Sequence, residues 1–407
     1  MMRNLFFAFG LLLSSALLAQ DKPAAGPTVR PEVGKPLQAA IDLLKGKKAK
    51  EALARAKEAQ AVPNKTPYET YLVSRVLGQA AASAGEPATA ASALESAAAS
   101  SAAPEAERRQ LLALAISQYY SLKDYSKSAA LASKYLQGGP DKSMRTIYVQ
   151  SLYLGGQFGA AAREIASDVE AEEAAGKKPA EEELQLLANA YLQSKDTLHY
   201  GRAMEKLVTY YPKRDYWLNV VHSAVARPGF NERLAIDVAR LRLEVGIMRN
   251  AQEYLDLAQL TMIEGFPAEA VRVIDKGYAA GVLGAGGEAE RHKRLKELAA
   301  KNLAEDKKAI ALEEQKGAQA KDGKTLFSEG FNYVLHGRAD KGLAMMQEGL
   351  KKGSGFTRIE HARLQLGYAY YVAGQKDRAI QTFKAVGGGD GAASIARLWV
   401  IRLSRAA

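Results

Sequence analysis

The side chains best suited to chemistry in this sequence are histidines and carboxylates, because no cysteine is present to supply a thiolate. The five histidines are His199, His222, His292, His336 and His361. None of them stands in an HExxH pair or in another spacing typical of metal ligands. The carboxylates cluster at Glu170, Glu172, Glu173, Glu181, Glu182 and Glu183. We interpret the histidines as surface or turn residues and the carboxylates as solvated or helix-end residues. We therefore expect no catalytic residues, no cofactor and no metal site.

The elements that must carry these side chains are clearest in residues 358–386. The first half of this stretch places apolar residues on one helical face, at Ile359, Ala362, Leu366 and Tyr370. Gly374 then interrupts the pattern where a helix end needs a residue that tolerates the left-handed conformation. Small residues at Gly367 and Ala379 predict a close approach of two helix backbones. The stretch therefore predicts two amphipathic helices joined by a tight turn.

The same two-helix pattern recurs from Leu37 onward, as in Leu77-Gly78 followed by Gly85 and Ala90. Neighbouring units in the first half of the chain start 33 to 39 residues apart. This arrangement resembles the tetratricopeptide repeat (TPR), in which Leu-Gly, Tyr, Ala and Phe stand at fixed offsets in a unit of about 34 residues. The resemblance, together with the N-terminal segment considered below, suggests an exported bacterial member of that family. It implies an all-α fold, a superhelical solenoid of about nine TPR-like helix-turn-helix units.

The regularity of the pattern predicts the domain organisation. We expect a TPR-like array over residues 37–280 and C-terminal repeats over residues 325–390. Between them, residues 281–324 form a glycine-rich loop and a charged helical insert of one or two helices, which either braces the array or divides it. Residues 391–407 are predicted to form a capping helix, because a stacked array has to cover its last apolar face.

The TPR resemblance also implies a binding site, since the first helix of each unit in that family lines a concave groove that holds extended peptides or helices. Transferring the groove-facing offsets nominates seven residues: Tyr120, Gln150, Tyr153, Asn189, Gln193, His222 and Gln259. Their amide and aromatic side chains suit contact with a polypeptide, although packing between repeats or plain exposure to solvent also accounts for them. Asn189 matches an asparagine of members that grip a terminal carboxylate, but the lysines that complete that clamp do not align here.

The N-terminal segment predicts export. Arg3 precedes an apolar run from Leu5 to Leu18, which is shorter than the about 20 residues that a membrane span needs. We expect a cleavable signal peptide over residues 1–19, with an uncleaved anchor or an ordinary buried helix as alternatives. Residues 20–36 are rich in Pro and Gly and are predicted to form a flexible linker. An exported chain without cysteine fits a bacterial periplasm better than a eukaryotic secretory route, where small domains rely on disulfides.

Charge and composition indicate which classes of partner this chain is expected to bind. The formal net charge is +11, or +10 once Arg3 is removed with the signal, and the cations are interspersed with carboxylates. No arginine-rich stripe with interleaved aromatics appears, so we expect no nucleic-acid partner. The sequence predicts a non-catalytic scaffold or adaptor in the bacterial cell envelope that binds an envelope protein or an extended peptide segment. The alternative is binding of peptidoglycan or an exported anionic polysaccharide, as part of an envelope assembly or secretion system, through the basic surplus.

Overall fold

The computed structural model describes residues 28–316 and 322–404, and over these ranges every regular element is helical. The predicted signal peptide and residues 20–27 of the predicted linker lie outside the described residues. The chain divides into two compact units, of which the first ends at Gln157 and the second begins at Phe158. The predicted all-α fold of helix-turn-helix units is confirmed.

The first unit consists of seven helices, each packed against the next along the chain. They are α1 (Pro31–Lys45), α2 (Ala49–Ala61), α3 (Pro67–Ala84), α4 (Pro87–Ala99), α5 (Glu105–Ser121), α6 (Tyr125–Gln137) and α7 (Lys142–Leu154). Alanines such as Ala56, Ala80 and Ala90 are fully buried between them. Gly78 faces Leu94, and a Cβ at this glycine would stand 2.7 Å from the Leu94 side chain. Small residues on one helix therefore let the next approach closely.

The linker predicted for residues 20–36 ends earlier than expected, because α1 already begins at Pro31. Proline is favoured at the first helical position, where its missing N–H would have had no helical partner. The chain is also anchored immediately before this helix. The backbone N–H of Arg30 donates to Glu69 Oε1 at 2.9 Å, and its Nε donates to the same oxygen at 3.0 Å.

The second unit contains thirteen α-helices within its described residues. They are α8 (Phe158–Ala174), α9 (Glu181–Gln193), α10 (Thr197–Tyr210), α11 (Arg214–Val225), α12 (Ala235–Glu244), α13 (Ala251–Ile263), α14 (Pro267–Ala279), α15 (Ala289–Lys316), α16 (Gly323–Leu335), α17 (Ala339–Lys352), α18 (Ile359–Val372), α19 (Lys376–Lys384) and α20 (Ala392–Ser404). Each of the nine units predicted from the sequence corresponds to two consecutive helices, with α15 and α20 in addition.

The turn and packing positions predicted for residues 358–386 are confirmed. Gly374 has a φ of 75°, in the left-handed region that favours glycine. Gly367 lies against the ring of Phe383, where a Cβ would stand 2.6 Å from the nearest ring carbon. The close approach of α18 and α19 therefore depends on the missing side chain at Gly367.

The predicted insert contains one described helix, α15, which packs against α13 and α14. Its Asp306 Oδ2 lies 2.6 Å from Nε2 of His336, which immediately follows α16. Helix α15 thus contacts helices on both sides of it in the sequence. No helix formed by residues 28–316 or 322–404 combines the length and apolar character needed to cross a membrane.

The C-terminal helix α20 does more than cover the last repeat. Trp399 stacks on Phe383 of α19, with ring centroids 5.5 Å apart and planes at 7°. The same helix also packs against α10, α11 and α12. The backbone N–H of Asn231 donates to the carbonyl oxygen of Asp390 at 2.9 Å just before α20 begins. The C-terminal end of the chain therefore returns to the middle of the second unit.

Candidate partner-binding face

Three of the seven predicted groove residues lie in the first unit, on the neighbouring helices α5 and α7. Tyr120 donates a hydrogen bond through its hydroxyl group to Gln150 Oε1 at 3.0 Å. The Tyr120 ring also packs edge-on against Tyr125, with centroids 5.6 Å apart. Burial and the neighbouring Tyr125 raise the pKa of Tyr120 above its ordinary value. Tyr153 is half-buried one turn after Gln150 on α7. The structure therefore brings Tyr120 and Gln150 together as one polar pair.

The other four candidates lie in the second unit on α9, α11 and α13. Asn189, His222 and Gln259 each stand eight residues after the first residue of their helix, and all three are exposed. Gln193 is exposed one turn beyond Asn189. We call the exposed side chains of α9, α11 and α13 the first-helix face. The predicted use of these residues in binding remains a prediction.

Hydrogen bonds link the N-terminal ends of α9 and α11, and they link α11 to the segment before α13. Lys213, immediately before α11, donates to Glu181 of α9 at 2.6 Å, and the Tyr216 hydroxyl of α11 donates to the same carboxylate. These hydrogen bonds lower the pKa of Glu181. Arg214 of α11 donates to the carbonyl oxygen of Met248, shortly before α13, at 3.4 Å. Helices α9 and α11 are therefore linked directly, and α11 is linked to the segment that precedes α13.

The first-helix face also carries side chains that the groove offsets did not nominate. Glu182, Asp215 and Asp256 are exposed carboxylates on its three helices. Aliphatic side chains are exposed near the C-terminal ends of the same helices, at Leu192, Val225 and Ile263. Ile263 could have been noticed in the sequence, because it lies next to the turn residues Glu264 and Gly265, where an aliphatic side chain gains little burial.

A buried ionic cluster joins helices of the second unit other than those of the first-helix face. Arg240 of α12 donates to Glu269 of α14 through Nε at 2.9 Å and through a terminal nitrogen at 2.6 Å. Its other terminal nitrogen donates to Asp237 at 3.2 Å. The hydroxyl group of Tyr368, on α18, donates to Glu269 Oε1 at 2.8 Å. The cluster thus joins two helices of the array to one of the C-terminal repeats.

The pKa values in this cluster follow from burial and from which groups touch. Burial alone would raise the pKa of Glu269, but its bidentate contact with Arg240 outweighs that effect and lowers it. Burial likewise would lower the pKa of Arg240, and the carboxylates of Glu269 and Asp237 raise it instead. Burial raises the pKa of Asp237, whose single contact with Arg240 is longer. The Arg240–Glu269 pair is therefore the charged centre of the cluster.

The interpretation of all five histidines as surface or turn residues is wrong for His292. This side chain is buried within α15, where Nδ1 accepts a hydrogen bond from the backbone N–H of Gly284 at 3.1 Å. His336 does lie in a turn, but its side chain is largely buried against Asp306. His199 and His361 pair with Asp196 and Asp390, each at 2.8 Å. These contacts give four histidines a structural role.

The carboxylate clusters lie at helix ends, as predicted. Glu173 accepts hydrogen bonds from Lys206 and from the hydroxyl group of Tyr210. Burial, together with the nearby carboxylates of Glu172 and Asp168, raises the pKa of Glu183. Among the described side chains, no group of three or more His, Cys, Asp or Glu is arranged to hold a metal ion.

Comparison with known proteins identifies similar helical structures but no family. No protein-family model matches the chain, and no curated protein matches it either. The crystal structure of yeast Tom70 aligns at 12% identity over 89% of this chain and 94% of that chain, with a TM-score of 0.25. The TPR2AB domain of yeast Sti1, in a pHSP90 complex, aligns at 12% identity over 74% of this chain and all of that chain, with a TM-score of 0.24.

The TPR domain of P58(IPK) is a further similar structure, at 12% identity over 91% of this chain and 97% of that chain, with a TM-score of 0.22. At these scores the structures superimpose poorly over the whole chain. The fold of this protein as an array of helix-turn-helix pairs is therefore established by its own helices, turns and close glycine contacts.

Proposed function

We propose that this protein is a non-catalytic scaffold that binds a protein or peptide segment on the first-helix face. The observation that carries the proposal is the exposure of Asn189, His222 and Gln259 at the same position on three consecutive first helices. Amide and imidazole groups at one repeated position can hydrogen-bond a polypeptide backbone that lies across the helices. Because these residues stand on helices that are already formed, binding would order few side chains and lose little entropy.

We also propose that the protein acts outside the cytoplasm, in the periplasm, after removal of residues 1–19. The apolar run after Arg3 supports this location. Cell fractionation with N-terminal sequencing tests it. We expect the mature protein in the periplasmic fraction with Gln20 as its first residue. A cytoplasmic protein that retains Met1 or Met2 would contradict the proposal.

An anionic polysaccharide is the less favoured partner for this face. Glu182, Asp215 and Asp256 are exposed on it, and they would repel an anionic polymer. A protein or peptide segment has no such conflict. Binding to peptidoglycan or to an exported polysaccharide that fades steeply with added salt, and that persists when the first-helix face is altered, would favour the alternative.

Site-specific photo-crosslinking tests the scaffold proposal. A photo-reactive residue at His222 should yield a discrete protein adduct in cells. The adduct should diminish several-fold when Asn189→Arg and Gln259→Arg are added, because bulky cations replace the amides. The same photo-reactive residue at the exposed Lys301 of α15 serves as the control. If His222 gives no more adduct than Lys301, this face is not the binding surface.

A further inference from the structure

The charge of the first-helix face is opposite to that of the whole chain. Helices α9, α11 and α13 contain six carboxylates and a single cation, Arg214, whereas the whole chain carries a net charge of +11. Arg214 stands at the very start of α11 and donates to the carbonyl oxygen of Met248. The exposed polar side chains farther along these helices are carboxylates, amides and one histidine. Just outside the three helices, Lys213 pairs with Glu181, and Arg242 and Arg249 pair with Glu253. The local acidic charge of the face therefore rests on Glu182, Asp215 and Asp256.

The helix macrodipole explains only part of this pattern. Glu182 and Asp215 lie in first turns, where a carboxylate is favoured in any helix. Asp256 stands in the middle of α13, beyond the reach of that effect. The absence of lysine from all three helices is also independent of the dipole. Nearby, Glu172 and Asp168 contribute to raising the pKa of Glu183, so α8 adds negative potential beside α9.

An aliphatic edge runs along the C-terminal ends of the same helices. Leu192 is 52% exposed, Val225 is 38% exposed and Ile263 is 80% exposed. Leu192 and Val225 each stand eleven residues after the start of their helix, and Ile263 stands twelve residues after the start of α13. Each of the three helices therefore carries one exposed aliphatic side chain at nearly the same offset from its start, and we call these three side chains the aliphatic row.

We propose that the segment bound on the first-helix face is cationic and amphipathic. Its lysine or arginine side chains lie beside Glu182, Asp215 and Asp256, and its apolar side chains cover Leu192, Val225 and Ile263. This inference rests on the proposed function, because it names the chemistry of the partner at that same face. Charge complementarity determines the sign of the partner's charge, and the aliphatic row indicates that the partner also has an apolar side.

Fluorescence anisotropy with two labelled synthetic peptides tests the inference on the full mature protein. One probe is an amphipathic peptide built from Lys and Leu, and the other replaces every Lys with Glu. We expect the Lys peptide to bind and the Glu peptide to bind at least about tenfold more weakly, because three exposed ion pairs each contribute a few-fold in affinity. Equal binding of the two peptides, or no binding of either, would overturn the inference.

Two triple variants with the same change in net charge distinguish the effect of charges on the face from the effect of the protein's overall charge. The variant E182K/D215K/D256K should weaken binding of the Lys peptide about tenfold. The control D42K/E51K/E58K alters three exposed carboxylates of α1 and α2. It should change the affinity for the Lys peptide less than about twofold. Equal weakening by both sets would show that only the net charge matters, and the inference would fail.

A third variant tests the role of the aliphatic row in binding. L192S/V225S/I263S removes exposed apolar surface without changing charge, so circular dichroism should be unchanged while the Lys peptide binds several-fold more weakly. If the wild-type protein self-associates and this variant does not, the aliphatic row contacts a second copy of the chain instead, and the inference is overturned. If crosslinking from His222 captures a partner whose bound segment is acidic, the proposed function stands and only the inference about charge fails.

Discussion

At the scale of single residues, the buried Arg240–Glu269 pair is the most consequential feature of the second unit. Both side chains are almost completely removed from water. Such a pair contributes little net stability compared with apolar residues of similar volume, but the removal of one partner leaves an uncompensated charge in the interior. Arg240 also lies over the ring of Tyr368, with its guanidinium carbon 4.8 Å from the centroid. One substitution therefore disturbs several contacts at once.

We expect Arg240→Met to lower the free energy of unfolding by about 3–5 kcal/mol, because Glu269 and Asp237 would lose their cation. Urea unfolding followed by tryptophan fluorescence measures this, since the only tryptophans, Trp217 and Trp399, both lie in the second unit. As a control, Arg55→Met removes an exposed partner of Glu58 and should cost at most about 1 kcal/mol. Similar costs for the two variants would contradict the role assigned to Arg240.

At the scale of the helices, the start of α3 combines several stabilising devices. Pro67 occupies the first helical position, and Thr66 and Glu69 form a reciprocal capping box. The Glu69 carboxylate additionally accepts hydrogen bonds from Arg30 ahead of α1. Hydrogen bonds from the Arg30 side chain, and then from the backbone N–H groups of Arg30 and Thr66, lower the pKa of Glu69 to about 2.

This lowered pKa predicts a pH dependence with a definite sign. The pKa of Glu69 lies below its ordinary value of 4.5, so its contribution to stability is complete above about pH 4.5 and is lost as the pH falls toward about 2. We expect the difference in unfolding free energy between wild type and Glu69→Gln to be constant near neutral pH and to shrink between about pH 4.5 and pH 2. Urea unfolding monitored by far-UV circular dichroism measures it. A difference that does not change down to pH 2 would contradict the assignment.

At the scale of the second unit as a whole, the return of α20 closes the C-terminal repeats onto earlier helices. Glu244, at the end of α12, shows how this closure is built. Its carboxylate accepts hydrogen bonds from Lys276 at 2.5 Å and from the hydroxyl group of Tyr371 at 2.6 Å, and its backbone carbonyl accepts one from Arg402 at 3.3 Å. Residues from α14, α18 and α20 therefore meet at one helix end.

We expect Trp399→Ala to lower the free energy of unfolding by about 3–5 kcal/mol, because the cavity would remain among the rings of Phe383, Tyr368 and Tyr371. Urea unfolding followed by the fluorescence of Trp217 measures the change. The control Leu298→Ala, at an exposed position of α15, should change it by no more than about 0.5 kcal/mol. A loss at Trp399 no larger than that at Leu298 would show that α20 is dispensable for the unit.

The helices and their turns could be predicted from the sequence because their causes are local. An apolar face repeats every three to four residues, and a helix end at Gly374 needs a backbone that tolerates positive φ. At turns without glycine, the sequence indicates the helix end less clearly. Lys123 and Lys195 occupy comparable turn positions with φ of 62° and 59°, although nothing in a lysine indicates that conformation. The repeated offsets likewise led to Asn189, His222 and Gln259, which are exposed at the same offset from the start of three helices.

What only the tertiary structure decided is which distant residues meet. Tyr368 and Glu269 are 99 residues apart, and Tyr371 and Glu244 are 127 apart. Their pairing depends on shape and charge complementarity between whole repeats, which no local periodicity encodes. The same reason explains why α20 packs against α10, α11 and α12. The sequence by itself determined the helical units, whereas long-range packing determined which of their faces stay exposed.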